Sequence, residues 1–203
     1  MPPPPLDTRL SVREGLPLAF PRVRRNVFAV PHRLTLVGYR ASGKSTVGRL
    51  AAARLGWPFV DADAAVEQDL GQPIRSYFAT HGEAAFRAAE SAALQRILSG
   101  SGCLVLATGG GAVLSESNRA LLADRGGLVA YLHAPVEVLQ ARLRHNAGGR
   151  PSLTGGAVAD EVPAILAARD PLYRSVAQAV VDATRGTTVV ADELHRLVAT
   201  PDP

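Results

Sequence analysis

The chain has 203 residues, of which 47% are apolar and 20% are charged, with a net charge of +4, as is ordinary for one globular domain. This length buries enough apolar surface for folding without staples, and a single cysteine, Cys103, excludes an intrachain disulfide and argues against a thiolate zinc site. No apolar run approaches the roughly 18 residues of a membrane span, and no secretory leader is recognised, so we expect a cytoplasmic protein without a membrane partner.

Residues 1–32 are interpreted as an N-terminal extension of the domain. They begin with Met followed by four prolines and show neither helical nor alternating apolar periodicity, which predicts a disordered or loosely docked segment. Six arginines against two acidic residues give residues 1–33 a net charge of +4, which equals that of the whole chain. The remainder is therefore neutral overall, and no nucleic-acid partner is expected. The extension is a spacer, the product of an early start codon, or a basic arm for an anionic partner.

From residue 33 to residue 203 we predict one domain in which strands and helices alternate. Short apolar runs bounded by turn residues are typical of buried strands. They predict strands at residues 34–37, 58–61, 103–107, 128–132 and 179–182. The alternation predicts an α/β fold of three layers, α-β-α, around a five-stranded parallel sheet that is covered on both faces.

Apolar residues at helical spacing predict the helices that connect these strands. The predicted helices cover residues 45–55, 62–70, 73–98, 116–124 and 158–170, and a further helix starts at Pro135. Breaks are expected near residues 71–73 and 81–82, where glycine interrupts the pattern. Residues 146–157 are rich in glycine, which predicts a mobile loop.

The most specific motif lies between the first strand and the first helix. Residues 38–45 read G-Y-R-A-S-G-K-S and match the phosphate-binding loop G-x-x-x-x-G-K-S/T, with a chance match as the alternative. In such a loop, backbone N–H groups and the helix N-terminus point at phosphate oxygens, the lysine reaches the β- and γ-phosphates, and the hydroxyl ligates Mg²⁺. The motif therefore predicts ATP and Mg²⁺ as cofactors. The nucleotide-binding residues are expected to be Gly38, Ala41, Ser42, Gly43, Lys44, Ser45 and Thr46.

Two carboxylates follow the second predicted strand. About 160 residues remain after the phosphate-binding loop, too few for a motor, a transporter ATPase or a helicase, which favours a small phosphotransferase. Ligands bind at the carboxyl ends of parallel strands, where Asp61 and Asp63 are expected. Asp61 can hold Mg²⁺ directly or through water, and Asp63 can bind a substrate hydroxyl or accept its proton. The alternative is that either aspartate caps the next helix.

Two arginines are candidates for binding a substrate anion. Arg87 and Glu90 have the i, i+3 spacing of a helix pair, and a carboxylate that holds an arginine prepares it for bidentate binding. The alternative is an ordinary surface ion pair. Arg169 ends the predicted helix 158–170, where it can bind a substrate carboxylate or only interact with the helix dipole.

Glycine-rich segments supply two further candidates. Gly109, Gly110 and Gly111 follow the third predicted strand and permit close approach of a ligand, although a simple tight turn is the alternative. Arg150 lies in the predicted loop 146–157, where a lid would exclude water and supply a cation to the transferred phosphoryl group. The alternative is a solvent-facing arginine.

Five motifs follow the phosphate-binding loop in this order: F-V-D-x-D, F-R-x-x-E, T-G-G-G, R-P and R-x-P-x-Y. Together with the loop, they resemble the shikimate kinase family. The resemblance covers residues 33–200 and implies a P-loop kinase fold of the nucleoside-monophosphate-kinase-like type, with a mobile lid at about 146–157. It implies transfer of the ATP γ-phosphoryl group to the 3-hydroxyl of shikimate, giving shikimate 3-phosphate and ADP in aromatic amino-acid biosynthesis. A monomer is expected.

The resemblance also implies residue roles. Lys44, Asp63 and Arg150 are expected to be catalytic, Lys44 and Arg150 through the phosphates and Asp63 through the shikimate hydroxyls. Ser45 and Asp61 are expected to support the magnesium ion.

The remaining implied roles concern the substrate and the adenine. Arg87 and Arg169 are expected to bind the shikimate carboxylate, with Glu90 holding Arg87. The triple glycine, Gly109 to Gly111, would line the shikimate pocket. Arg142 and Arg185 are similar to arginines near the adenine.

Departures from the family pattern keep alternatives open. Ala41 replaces the usual loop glycine, which costs about 1 kcal/mol if this position needs a positive φ. Ser152 replaces a leucine after the R-P of the lid. The alternatives are a P-loop kinase for another small anionic metabolite and a non-catalytic ligand-sensing module.

Overall fold

The computed structural model describes residues 33–145 and 159–199. Within these residues, five parallel strands form one sheet in the order β2-β3-β1-β4-β5. The strands are β1 Arg33–Val37, β2 Phe59–Asp61, β3 Leu104–Ala107, β4 Leu128–His133 and β5 Ala179–Asp182. The predicted five-stranded parallel sheet is therefore confirmed.

The described residues also form seven α-helices and one short 3₁₀ helix. The α-helices are α1 Lys44–Leu55, α2 Ala62–Leu70, α3 Ile74–Ser99, α4 Glu116–Arg125, α5 Val136–His145, α6 Val162–Val176 and α7 Thr187–Ala199. The 3₁₀ helix covers Ala112–Leu114, between β3 and α4. Every residue of the central strand β1 is buried, and successive side chains of a strand point to opposite faces, so helices cover both faces of the sheet.

The sheet order places a crevice at the carboxyl end of β1. This strand lies between β3 and β4, so the chain crosses to one side through β2 and β3 and to the other side through β4 and β5. Ligands of open α/β sheets bind where the strand order reverses in this way. The phosphate-binding loop follows β1 directly and lies at this position.

Helix α3 contains the predicted break at residues 81–82. Gly82 has φ 78° and ψ 178°, a combination that is essentially restricted to glycine. The first part of α3, Ile74 to His81, therefore takes a different direction from the part that carries Arg87. The predicted break at residues 71–73 is also present, because it separates α2 from α3.

The predicted helix 158–170 is wrong at both ends, because residues 159–161 form a turn and helix α6 begins at Val162. Helix α6 continues through Pro171 to Val176, although proline removes one backbone hydrogen bond of the helix. Leu166, Tyr173 and Val176 are buried on this helix, and their packing offsets the lost hydrogen bond. Residue 158 and the predicted loop 146–157 lie outside the described residues.

A buried arginine stabilises the end of the sheet away from the crevice. Arg33 is 5% exposed, and its guanidinium donates to the carbonyls of Leu98 at 2.8 Å, Arg125 at 3.1 Å and Gly100. These carbonyls lie at the C-terminal ends of α3 and α4, where a cation interacts favourably with the helix dipole. Arg33 therefore joins the ends of two helices to the central strand.

None of the helices in the described ranges has the length and apolar character needed to cross a membrane.

Candidate active site

A cavity of about 520 Å³ opens at the carboxyl edge of the sheet. It brings together side chains from α2, α3 and α6 with the turn after β3. The predicted site residues that line it are Asp61, Asp63, Arg87, Glu90, Gly110, Gly111 and Arg169. Residues more than 100 positions apart therefore meet in one cavity, as their separate motifs predicted.

The phosphate-binding loop folds around the lysine of its own motif. Lys44 is buried, and its Nζ donates to the carbonyl oxygens of Gly38 at 2.8 Å and Tyr39 at 2.9 Å. Gly38 has φ 146°, and a Cβ at this position would lie 2.8 Å from the carbonyl oxygen of Leu132. The close passage of the loop over β4 therefore requires glycine at residue 38.

Ala41, which replaces the usual glycine of the loop, adopts the left-handed backbone conformation that favours glycine. Its φ is 63°, and it is the only residue other than glycine with a positive φ in the described parts of the chain. A side chain with a Cβ clashes with the backbone in this region, which costs roughly 1–2 kcal/mol. The loop therefore contains a local strain that a glycine would remove.

Replacing Ala41 by glycine should stabilise the chain by about 1 kcal/mol, because glycine reaches a positive φ without steric cost. Denaturant unfolding of the two proteins measures the difference. The matched control is Ala53→Gly, the same change on the exposed face of α1, which should destabilise by about 1 kcal/mol. Equal destabilisation by both substitutions would contradict the assignment of strain to Ala41.

Ser45 and Asp61, which the sequence predicts to support magnesium, are in direct contact. Ser45 Oγ donates to Asp61 Oδ2 at 2.5 Å, and Asp61 Oδ1 accepts the backbone N–H groups of Asp63 at 3.0 Å and Ala64 at 3.5 Å. Asp61 therefore caps α2 and contacts Ser45 at once, so the two interpretations from the sequence are compatible.

The oxygen atoms of this pair suit a hard cation. Mg²⁺ is commonly held by one or two protein oxygens together with phosphate oxygens and waters. The described residues contain no group of three or more His, Cys, Asp or Glu side chains that could hold a metal by themselves. Ser45 and Asp61 thus fit an ion that a nucleotide helps to bind.

The loop also has the unsatisfied polar groups that a phosphate would require. Ser42 Oγ is buried and, within residues 33–145 and 159–199, accepts and donates no hydrogen bond. The first N–H groups of α1 have no partner within the helix, as at any helix N-terminus. The residues present therefore fit a bound phosphate chain.

Asp63 and Glu90 approach the triple-glycine turn from two helices. A Cβ at Gly109 would lie 2.7 Å from Asp63 Oδ1 and 2.5 Å from Glu90 Oε1. Glycine at residue 109 therefore leaves room for two carboxylates against the backbone. The turn is more than a tight connection, because its small residues allow these side chains to converge.

Arg87 is held by two carboxylates of its own helix. Its Nη1 donates to Glu90 Oε2 at 2.8 Å, and its Nε and Nη2 contact Glu83 Oε1 at 3.2 and 3.1 Å. Glu90 is 4% exposed, so the alternative of an ordinary surface ion pair is wrong. A Cβ at Gly111 would collide with the guanidinium, lying 2.7 Å from Arg87 Cζ.

Burial and the ion pair have opposing effects on the pKa values of Glu90 and Arg87. It raises the pKa of the Glu90 carboxyl, against the opposing effect of the Arg87 guanidinium, and nearby Asp63 raises it further. Burial acts to lower the pKa of Arg87, but Glu90 and Glu83 outweigh it and raise that pKa. Arg87 therefore stays charged.

Arg169 lies in the middle of α6 and reaches the same turn. Its Nη1 donates to the Gly110 carbonyl at 3.2 Å, and Tyr173 Oη donates to that oxygen at 2.5 Å. Because α6 continues to Val176, Arg169 is not at a helix end, and the alternative that it only interacts with the helix dipole is wrong. Arg169 and Arg87 thus approach the turn from two different helices, α6 and α3.

The arginines predicted near the adenine differ in their surroundings. Arg142 donates to the loop carbonyls of Ala41 at 3.3 Å and Ser42 at 3.5 Å, and to Ala183 at 2.7 Å. Arg185 is exposed, pairs with Glu193, and does not line the cavity. Arg142 therefore borders the phosphate-binding loop, whereas Arg185 lies in the turn before α7.

Arg150 lies outside the described residues.

Two features of the site are not evident from the sequence: the apolar wall of the cavity and one buried ion pair. Ile74, Phe78 and Phe86 line the cavity on α3, and helical spacing alone could not separate them from core residues. Arg40 Nη2 contacts Glu161 Oε2 at 2.9 Å, and both side chains are largely buried. Arg40 occupies a variable position of the loop pattern, so no signal marked it.

The chain matches the family model for shikimate kinase over residues 40–199. A shikimate kinase from Nitratidesulfovibrio vulgaris is 48% identical over 169 residues, covering 82% of this chain and 95% of that protein. A shikimate kinase 2 from Pectobacterium carotovorum is 42% identical over 169 residues, covering 82% of this chain and 96% of that protein.

Solved structures show the same relation. The shikimate kinase from Acinetobacter baumannii in complex with shikimate aligns with a TM-score of 0.76 at 37% identity, covering 82% of this chain and 92% of that chain. Sequence and fold agree over nearly the whole of these relatives. This chain therefore belongs to the shikimate kinase family.

Proposed function

We propose that this chain transfers the γ-phosphoryl group of ATP to the 3-hydroxyl of shikimate, giving shikimate 3-phosphate and ADP. The observation that carries the proposal is the cavity itself, in which Arg87 and Arg169 lie at one glycine turn and Asp63 lies beside it. Two cations suit one carboxylate, and a carboxylate suits a hydroxyl. The phosphate-binding loop borders the same cavity.

The two arginines select an anionic acceptor. Arg87 is oriented by Glu83 and Glu90, so its guanidinium loses little conformational freedom when it binds a carboxylate. Arg169 adds a second guanidinium from α6, which donates to the Gly110 carbonyl. Binding of the carboxylate at this turn would orient the hydroxyl side of the ring toward Asp63 and the loop.

The phosphoryl end of the site is formed by the loop. Lys44 supplies a buried ammonium group, and Ser45 with Asp61 would hold Mg²⁺. Bound Mg²⁺ would neutralise negative charge on the phosphates during transfer. Arg142 and Arg185 are proposed to border the adenine, and Arg150, in a lid at about 146–157, to contact the phosphates.

Asp63 is proposed to orient the acceptor hydroxyl and receive its proton. It lies within 3 Å of the position that a Cβ of Gly109 would occupy, next to the buried Glu90. The loose transition state of phosphoryl transfer needs little help from a base, so orientation accounts for much of this role. We further propose that residues 33–203 form the monomeric kinase domain and residues 1–32 an extension.

The test is ADP release by the purified full chain with ATP, Mg²⁺ and shikimate, with quinate and gluconate as control acceptors. We expect shikimate-dependent turnover that EDTA abolishes and excess Mg²⁺ restores. Asp63→Asn should lower kcat by about 10²-fold, the scale expected when a reacting group is misplaced. The matched control is Asp69→Asn, an exposed carboxylate on the same helix, which should leave kcat unchanged.

Other outcomes would favour the remaining candidates. Turnover with gluconate or quinate but not with shikimate would indicate a kinase for another small metabolite. Tight shikimate binding without ADP release would indicate a ligand-sensing module. Neither turnover nor binding would overturn the proposed substrate.

A further inference from the structure

The carbonyl oxygen of Gly110 accepts two hydrogen bonds from one helix. Tyr173 Oη donates to it at 2.5 Å, and Arg169 Nη1 donates at 3.2 Å. Both donors lie on α6, four residues apart and therefore on the same face of the helix. This oxygen is thus the point at which α6 is attached to the glycine turn.

The glycine turn is in close contact with the other half of the site. The backbone at Gly111 lies against the Arg87 guanidinium, and the backbone at Gly109 lies against Asp63 and Glu90. Any shift of α6 relative to the turn therefore changes the separation between Arg169 and Arg87. Two arginines bind one carboxylate well only when that separation is fixed.

The surroundings of Tyr173 hold its hydroxyl in place and keep it protonated. Its side chain is fully buried, and its ring stacks on Tyr131 with centroids 5.0 Å apart. Burial raises the pKa of Tyr173 to about 12, against the opposing effect of the Arg169 guanidinium. The hydroxyl therefore remains a donor throughout the pH range in which the enzyme would work.

Arg169 would have to share its guanidinium between the Gly110 carbonyl and a bound carboxylate. An arginine that turns toward a carboxylate weakens its contact with the Gly110 carbonyl, which would leave that oxygen with less compensation. Tyr173 is the other side chain in the described parts of the chain that donates to this oxygen. Its hydroxyl would hold the turn in place while Arg169 engages the ligand.

We propose that Tyr173 is a positioning residue for the acceptor: its hydroxyl fixes Gly110 and thereby sets the place of Arg169 relative to Arg87. This inference rests on the proposed function, because it assigns Tyr173 a role in binding the carboxylate of the same substrate. The role is separate from packing, which the ring of Tyr173 already supplies through Tyr131 and the core.

The test is Tyr173→Phe, which removes the hydroxyl and keeps the stacked ring. We expect the KM for shikimate to rise about tenfold, the scale of one buried hydrogen bond, while the KM for ATP stays within twofold. Shikimate affinity measured by calorimetry should fall by the same factor. Circular dichroism checks that the variant is folded.

Tyr131→Phe is the matched control. Tyr131 is equally buried and stacked, but its hydroxyl donates to Asp170 at 2.9 Å and not to the turn. We expect this variant to lose stability and to keep the KM for shikimate. A second check is Tyr173→Phe in an Arg169→Gln background, where the further rise in KM should disappear because Tyr173 acts on the acceptor through Arg169.

Three results would overturn the inference. The first is an unchanged shikimate KM in Tyr173→Phe while the wild type turns over shikimate, which leaves the proposed function intact. The second is an equal rise in Tyr131→Phe, which would show a general effect of packing. The third is a wild-type chain that neither phosphorylates nor binds shikimate, which would remove both the inference and the proposed function.

Discussion

Lys44→Ala should reduce kcat/KM for shikimate phosphorylation by about 10³-fold or more. Removing one positioned donor from a transition state costs about 10²–10³, and a cation at a transferring phosphoryl group contributes about 10³–10⁵. Lys44 is buried in the loop, and no other lysine exists in the chain to replace it. Coupled ADP-release kinetics with saturating Mg²⁺ measures the loss.

The same substitution should also destabilise the ligand-free protein. Lys44 Nζ donates to the carbonyls of Gly38 and Tyr39, and leaving such groups unsatisfied costs about 1–3 kcal/mol. Lys44→Met keeps more of the aliphatic stem and should show the same kinetic loss. Arg54→Ala, a charge removed from the far end of α1, is the control and should leave kcat/KM intact. Activity that persists in both Lys44 variants would contradict the assignment.

Arg87→Met should lower kcat/KM for shikimate by about 30–4,000-fold, because truncating one partner of a desolvated charge pair costs about 2–5 kcal/mol. The KM for ATP should change little, since Arg87 lies on α3 and the loop precedes α1. Initial rates at varied shikimate and fixed saturating ATP measure the loss. A fall in ATP affinity of the same size would indicate a role beyond the acceptor.

The free energy of unfolding of Arg87→Met should also depend on pH. Burial already raises the pKa of Glu90, and loss of the Arg87 guanidinium raises it further. When the pKa of a carboxyl group is higher in the folded than in the unfolded protein, the protonated group favours the folded state at low pH. This stability is lost as the pH rises through the folded-state pKa. The deficit of Arg87→Met in urea unfolding should therefore be larger at pH 8 than at pH 5.

A double variant separates binding from folding. Arg87→Gln with Glu90→Gln removes both charges, so no uncompensated carboxylate remains buried next to Gly109. We expect it to regain stability at pH 8 and to remain as poor an enzyme for shikimate as Arg87→Met. Recovery of activity together with stability would show that the arginine acts only through folding.

Short sequence patterns were sufficient to predict several parts of the fold and of the candidate site. Three motifs lie at the end of a strand whose apolar run is evident in the sequence: the phosphate-binding loop at β1, the two aspartates at β2 and the triple glycine at β3. Because all parallel strands end at one edge of the sheet, these motifs had to meet. The break at Gly82 was equally local, since glycine alone tolerates its backbone conformation.

Local patterns were insufficient where distant contacts outweigh propensity. The predicted helix 158–170 ended before Pro171, but burial of Tyr173 and Val176 allows α6 to continue past this proline. Helix α7 was not predicted, although Val190 and Leu194 are buried at helical spacing. Glu90 had the spacing of a surface pair and proved to be buried.

The sequence by itself therefore determined the fold class and which candidate site residues share one cavity, because each depends on a short pattern and a shared sheet edge. Only the tertiary structure decided which elements close over that edge. It showed that Arg33 joins two helix ends, that Phe78 and Phe86 form a wall of the cavity, and that Tyr173 shares an acceptor with Arg169. Such contacts join residues that are far apart in the chain, so they depend on tertiary packing and burial and not on any local sequence pattern.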